Sequence, residues 1–327
     1  MNNNFYDIII IGGGPAGLTS GLYASRARLS TLLLERMALG GQVNSSEMIE
    51  NYPGLDKSIS GFQLAQNLEK QAKGFGLTTE MGTADELSMR DDHTKVIKTN
   101  GRELLCKALI IATGSEPNKL AIEREEQLTG RGVSYCATCD GPLYKDKEVA
   151  VVGGGDAAVE EALFLCRFAK KVHIIHRRDQ LRAIKILQER IIHRRDQLRA
   201  IKILQERILT TENAHLIWNT VVDKIEGDKS VESLLLRNVK DNKNSSLKVD
   251  GIFIYVGLKP NTGWLKNVLP LHEQGFIETN DRMETTLPGV FAAGDVRHKL
   301  LRQIATAVGD GSTAAFAAEK YLESIKT

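Results

Sequence analysis

Cys136-Ala137-Thr138-Cys139-Asp140 carries the most reactive side chains of the chain. Two thiols separated by two residues can close a reversible disulfide across a single turn. Asp140 beside them is a candidate proton donor to a leaving thiolate; it also has the position of a turn-forming Asp ahead of Gly141-Pro142. A structural zinc site needs four ligands and the sequence holds no second close cysteine pair, so no metal is expected. Cys106 and Cys166 stand alone among apolar neighbours and read as inert core residues.

Two glycine runs flank this dithiol. In the first, Gly12-Gly13-Gly14-Pro15-Ala16-Gly17, the glycines Gly12, Gly14 and Gly17 allow a tight turn, close approach of a pyrophosphate, and close helix–strand packing. Glu35, 23 residues after Gly12, is the acid expected at the ribose hydroxyls. In the second run Gly153, Gly155 and Ala158 take the same roles, with Asp156 and Ala157 between them. The same spacing then reaches His176, followed by Arg177 and Arg178, with Arg182 beyond. A carboxylate there would repel a 2′-phosphate, whereas guanidinium groups pair with it bidentately, so this site should take NADPH in preference to NADH. A solvated charge run is the alternative. Gly294-Asp295 closes the strand-like 289–293, and its acid could accept hydrogen bonds from ribityl hydroxyls or simply cap a helix. A dithiol between two dinucleotide fingerprints suggests electrons passing from one cofactor through another to a disulfide.

The elements that must position these groups read as follows. Residues 6–11 and 31–34 are strands and 15–27 a helix, which with Glu35 complete a βαβ unit. An amphipathic helix is expected over 61–75 and a buried strand over 108–113, ending at Thr113-Gly114. The pattern restarts with a strand over 147–152, a helix over 156–168 with Leu163 and Phe164 inward, and a strand over 171–175. Strands at 249–256 and 290–293 and a helix over 302–323 close the chain. The fold class is therefore α/β, with two Rossmann-like nucleotide-binding domains.

Composition fits that class. The 42% hydrophobic and 26% charged residues, with 29 glycines, describe a globular chain rich in tight turns. A net charge of +2 gives no strong attraction to nucleic acid or acidic lipid. Met1-Asn2-Asn3-Asn4 lacks the basic region of a signal peptide and the apolar run 8–11 is too short to span a bilayer. Cytoplasmic residence is expected, where such thiols stay reduced or cycle.

Residues 174–190 recur without change at 191–207. So short a repeat is not a solenoid unit and looks like a recent or engineered duplication. Seventeen residues leave a helical apolar stripe roughly 100° out of phase, so a break or a looped-out copy is expected near 190–195.

Taken together, the chain resembles the bacterial low-molecular-weight thioredoxin reductases. The resemblance rests on GGGPAG (12–17), GGQ (40–42), ENYPG (50–54), ATG (112–114), CATCD (136–140), GGGDAA (153–158), HRRDQLR (176–182), FAAGD (291–295) and RQI (302–304). It implies a homodimeric flavoprotein carrying electrons from NADPH through FAD to the disulfide of thioredoxin, with the NADPH domain (118–248) inserted into the FAD domain (1–117 and 249–327). It also implies FAD contacts from Gly12, Gly14, Pro15, Ala16, Gly17, Glu35, Gly40, Gly41, Gln42, Asn51, Thr113 and Gly114, completed by Gly294, Asp295, Arg302, Gln303 and Ile304. Cys139 would face the flavin, Cys136 would attack thioredoxin, and Asp140 would be the acid. Because nicotinamide and disulfide cannot share one flavin face, the family rotates its NADPH domain, with hinges expected near 115–118 and 246–250. The competing readings are a peroxiredoxin partner, a ferredoxin donor (disfavoured by the arginine motif) and a flavin redox sensor without turnover.

Overall fold

The run Phe5–Ile11 is a strand whose residues Ile8, Ile9, Ile10 and Ile11 are all buried, the pattern of a parallel strand covered on both faces. In the computed structural model, which describes residues 4–46, 49, 51–90, 93–178, 207–265 and 267–325, it forms the middle of a seven-stranded sheet. Thr31–Glu35 and Arg102–Ile111 flank it in parallel, with Thr78–Met81 outside the former. Val290–Ala292 joins Arg102–Ile111 in parallel, while Lys95–Thr99 and Glu86–Met89 extend the sheet as antiparallel strands.

Register decides the function of this sheet. Ile11 pairs with Leu34 and with Ile111, and Ile111 pairs with Ala292. The strands therefore end level, and Gly12, Glu35, Ala112 and Ala293 leave them at one carboxyl edge. That edge is where open α/β sheets bind ligands. The helix Pro15–Arg26 rises from it and packs against the C-terminal helix Ile304–Ser324 through small residues. Ser20 Oγ donates to the Ala16 and Gly311 carbonyls at 2.9 and 3.0 Å. A Cβ on Gly311 would strike the Ala16 backbone, so the two helices meet at backbone distance.

A five-stranded parallel sheet repeats the plan in the order Ala214–Ile217, Lys171–Ile175, Glu148–Val152, Gly251–Ile254, Val133–Ser134. The helix Asp156–Leu165 covers it, and Thr220–Glu226, Ser233–Asn238 and Asn244–Lys248 form a separate antiparallel sheet. The chain divides into one compact unit of Met1–Glu116 with Lys259–Thr327 and a second of Pro117–Leu258.

Three expectations are corrected. The strand expected over 249–256, assigned by resemblance to the first domain, is Gly251–Ile254 and pairs with Glu148–Val152 inside the second unit. Its apolar run fits either sheet equally well, and only pairing settles which. The helix expected over 156–168 ends at Leu165, and its buried face is Ala158, Val159, Ala162 and Leu165; Leu163 and Phe164 are half-buried at its margin. The bulkier pair drew the expectation, but the i, i+3, i+4 spacing selects the smaller residues. Cys166 is half-buried, whereas Cys106 is fully enclosed. Most of the duplication, the break expected near 190–195 and Arg182 lie outside the described residues.

Candidate functional site

The first glycine run builds a tight glycine cradle in the first unit. Gly12 has φ +105°, and a Cβ there would strike the backbone of Ala112; one on Gly17 would land on the Gly12 carbonyl. Gly14, by contrast, has nothing within 4 Å of a Cβ position, and as N-cap of Pro15–Arg26 it contributes no side-chain cap. Gly14 therefore leaves the start of the helix uncovered on its Cβ side, and a helix N-terminus favours an anion. Glu35 accepts from Gly13 N–H at 2.6 Å and from Met37 N–H at 2.9 Å, which fixes its carboxylate beside the cradle. Gly40 N–H donates to Gly13 O at 2.7 Å, so the Gly40-Gly41 turn closes against the run. Ala16 is buried beneath the cradle.

Distant motifs converge here. Gln42 Nε2 donates to the Ser115 carbonyl, and Asn51 Nδ2 donates to Gln303 Oε1 at 3.0 Å. Thr113 and Asn261 exchange side-chain-to-backbone hydrogen bonds at 2.9 and 3.0 Å, and Gly114 O accepts from Asn261 N–H. Gln303 caps the helix that begins at Ile304 in a reciprocal bond with Thr306. Gly294, at φ +79°, lies against Ala16 and donates to Asp310 Oδ2 at 3.0 Å.

Two buried polar atoms test whether a flavin dinucleotide fits. Asp295 Oδ1 and Arg302 Nε lack hydrogen-bond partners among the described residues. Burial pushes the Asp295 carboxyl up, opposed by Lys299 and Arg302, and burial lowers the Arg302 guanidinium. Buried polar groups left so are costly unless a ligand satisfies them. A carboxylate that can accept from sugar-like hydroxyls and a guanidinium that can donate match the group implied by the resemblance, so the residues fit FAD. Sequence reasoning missed the buried pairing beneath them: Asp310 takes Arg297 at 2.9 Å and Lys299 at 2.8 Å. A charged residue in a helix of small residues was the available signal.

The second unit places the other motifs on one edge. Val152 pairs with Ile175 and Ile254, and Phe253 with Ser134, so Gly153, His176, Tyr255 and Tyr135-Cys136 all follow the carboxyl ends of parallel strands. Gly155 N-caps Asp156–Leu165 with no side-chain cap, and nothing lies within 4 Å of a Cβ position, as at Gly14. Ala157 is exposed and Ala158 buried. His176 lies against Gly154 and meets Trp218 edge-on, while Arg177 and Arg178 stand exposed beyond the strand.

Cys136 and Cys139 are joined in a disulfide, their Cα atoms 5.3 Å apart and both residues half-buried. Cys136 caps the single turn Ala137–Asp140. Ser134 Oγ donates to Asp140 Oδ2 at 2.6 Å and accepts from Cys136 N–H at 3.1 Å, tying the acid to the pair. Ser134 was missed by sequence reasoning, although its place two residues before Cys136 was visible. Burial pushes the free thiols of Cys106 and Cys166 up to about 12 and about 11, away from the thiolate form that reactivity needs. Among the described residues His272, Glu278 and His298 bring potential metal donors within 4.8 Å, but the imidazoles stack at 3.9 Å and 15°, so their lone pairs do not converge on one point.

Two glycine cradles at sheet edges and a disulfide beside the second define a flavin- and nucleotide-linked disulfide reductase architecture. The chain belongs to the pyridine nucleotide-disulphide oxidoreductase family, whose model matches residues 6–311. It is 45% identical over 322 residues to the thioredoxin reductase of Bacillus subtilis (strain 168), covering 98% of this chain and 96% of that protein. Identity to the thioredoxin reductase of Listeria innocua is 47%, covering 98% and 95%. The crystal structure of thioredoxin reductase from Streptococcus pyogenes matches with a TM-score of 0.84 at 44% identity, covering 99% of this chain and all of that one.

Proposed function

We infer that this protein is an NADPH-dependent thioredoxin-disulfide reductase. The observation that carries the reading is the disulfide Cys136–Cys139 on the same sheet edge as the second glycine cradle, in a chain that also holds a complete first cradle. When bound, FAD and NADPH supply the two-electron carrier chemistry. The unit of 1–116 and 259–327 would hold FAD through Gly12, Gly14, Gly17, Glu35, Gln42, Asn51, Asp295, Arg302 and Gln303. The unit of 117–258 would hold NADPH at Gly153, Gly155, His176, Arg177 and Arg178, with Arg182.

The dithiol chemistry belongs to this chain's own residues. Cys139 is assigned the side facing the carrier and Cys136 the attack on thioredoxin. Asp140, whose carboxyl accepts from the Ser134 hydroxyl, would deliver a proton to the sulfur that leaves. Ser134 keeps that carboxyl from swinging into solvent. The protein would act as a homodimer in the cytoplasm, without nucleic acid; among the described residues no helix is long and apolar enough to cross a membrane.

The test is NADPH oxidation by the flavin-loaded protein with a disulfide dye, with and without thioredoxin. Thioredoxin-dependent turnover is expected; flavin bleaching without any requirement for thioredoxin on reoxidation would instead favour a sensor. Sedimentation of the holoenzyme checks the dimer.

A further inference from the structure

The flavin contacts proposed above leave one enclosed carboxylate without a role. Asp310 lies early in the helix Ile304–Ser324, with 13% of its side chain exposed. Both of its oxygens are engaged. Oδ1 accepts from Arg297 Nη1 at 2.9 Å. Oδ2 accepts from Lys299 Nζ at 2.8 Å and from the Gly294 N–H at 3.0 Å. The two cations are as enclosed as the acid, at 11% and 10% exposed. Charges so enclosed are costly unless paired, and Asp310 pairs with both.

These bonds fix the main chain from residue 294 to residue 302. At one end, Asp310 holds the amide of Gly294, the residue just before Asp295, where the backbone takes a left-handed φ of +79°. At the other end, Arg302 Nη2 donates to the Arg297 carbonyl at 3.2 Å and Nη1 to the Lys299 carbonyl at 3.3 Å. Those carbonyls belong to the two residues whose side chains Asp310 grips. Arg302 also lies over the Phe276 ring at 4.3 Å, and Arg297 Nε donates to Thr279 Oγ1 at 2.7 Å, so the loop is anchored to the segment 276–279 as well. Asp295 Oδ1 and Arg302 Nε, the two buried atoms of the flavin site that lack partners among the described residues, therefore sit on a loop whose ends share one anchor.

We propose that Asp310 is a positioning residue for the flavin site, setting Asp295 through the Gly294 amide and Arg302 through Arg297 and Lys299. The inference rests on the reading that the unit of 1–116 and 259–327 holds FAD. Its physical basis is preorganisation. Hydrogen bonds weaken steeply with misalignment, and groups already fixed bind a ligand more tightly than groups the ligand must order. Asp310 itself is assigned no contact with the flavin; its effect on binding passes through the two residues it holds in place.

The experiment is a pair of double-mutant cycles on the full-length flavin-loaded protein, combining D310N with D295N and with R302Q. The Kd for FAD is read from the flavin fluorescence released on dilution, and stability from thermal unfolding of each variant. D310N alone should raise the Kd for FAD roughly tenfold or more. In the D295N or R302Q background the same change should cost at least about threefold less, because the group that Asp310 positions is already lost; independent changes would multiply within about twofold. Stability falls as well, since two enclosed cations lose their partner, but a purely global loss lowers affinity by the same factor in every background. Coupling therefore decides, and coupling below about threefold in either cycle would overturn the role of Asp310. If D310N does not fold, K299M, which leaves Arg297 and Asp310 paired, takes its place in the R302Q cycle under the same criterion. Failure of the parent protein to retain FAD would instead overturn the flavin reading, whatever Asp310 does.

Discussion

Asp295 and Arg302 show what a single residue can disclose. Each is half-buried and holds a buried polar atom lacking a partner among the described residues, as a group meant to meet a ligand would. Asp295→Asn keeps the shape but loses the charge that accepts hydroxyl donors. Since hydrogen bonds to a charged group contribute about 1.5–3 kcal/mol, FAD affinity should fall roughly 10- to 100-fold, read by flavin release on dilution. Arg177 belongs to the same scale. It stands exposed past the end of Lys171–Ile175, where it is free to pair with a 2′-phosphate. Arg177→Ala should raise the KM for NADPH by roughly tenfold or more and leave that for NADH nearly unchanged; equal effects would refute the assignment. Arg177 was legible in the sequence because charge and spacing specify it, whereas Asp295 and Arg302 were reached through the family resemblance. Ser134 and Tyr255 were not legible, because their relation to the dithiol turn exists only where the strands bring them together.

At the scale of elements, the glycines of one run fall into two kinds. Gly14 and Gly155 face open space at uncapped helix starts with extended backbone angles that alanine tolerates, whereas Gly17 sits against a carbonyl. Gly14→Ala should therefore fold normally yet bind FAD poorly, and Gly155→Ala should do the same toward NADPH. Gly17→Ala forces the strand and helix apart, a strain of about 1–3 kcal/mol, and should lower stability even without cofactor. Thermal unfolding and cofactor titration of the three variants separate packing from binding. Elements read from glycine runs and apolar strands, such as Phe5–Ile11 and Lys171–Ile175, lie within a residue of expectation. The antiparallel strands Glu86–Met89 and Lys95–Thr99 went unread, since their short mixed segments gain strand character only by pairing with Arg102–Ile111.

For the whole molecule, the buried Glu161 makes stability depend on pH. Its folded pKa is raised to about 7 from an ordinary 4.5. Below pH 4.5 the group is neutral folded or unfolded and contributes nothing. Between 4.5 and 7 the unfolded chain releases the proton that the folded chain keeps, so stability falls as pH rises, by about 3 kcal/mol in all. Glu161→Gln should therefore have a higher denaturation midpoint than the parent at pH 8, and the gap should close at pH 5. Function depends on the sulfur couple: replacing both Cys136 and Cys139 with serine should abolish thioredoxin turnover while FAD remains bound. Unchanged turnover would exclude the couple.

The order of the motifs, the dithiol between them and the arginines in place of a second acid were determined by the sequence alone, because cofactor chemistry demands particular residue types at short fixed spacings. Tertiary structure decided the rest. Strand register brought Gly12, Glu35 and Gly294 to one edge, and pairing claimed Gly251–Ile254 for the second unit. Packing placed the Tyr255 hydroxyl against the disulfide turn. Each depends on which segments desolvate one another across long stretches of chain, and no local pattern encodes that choice.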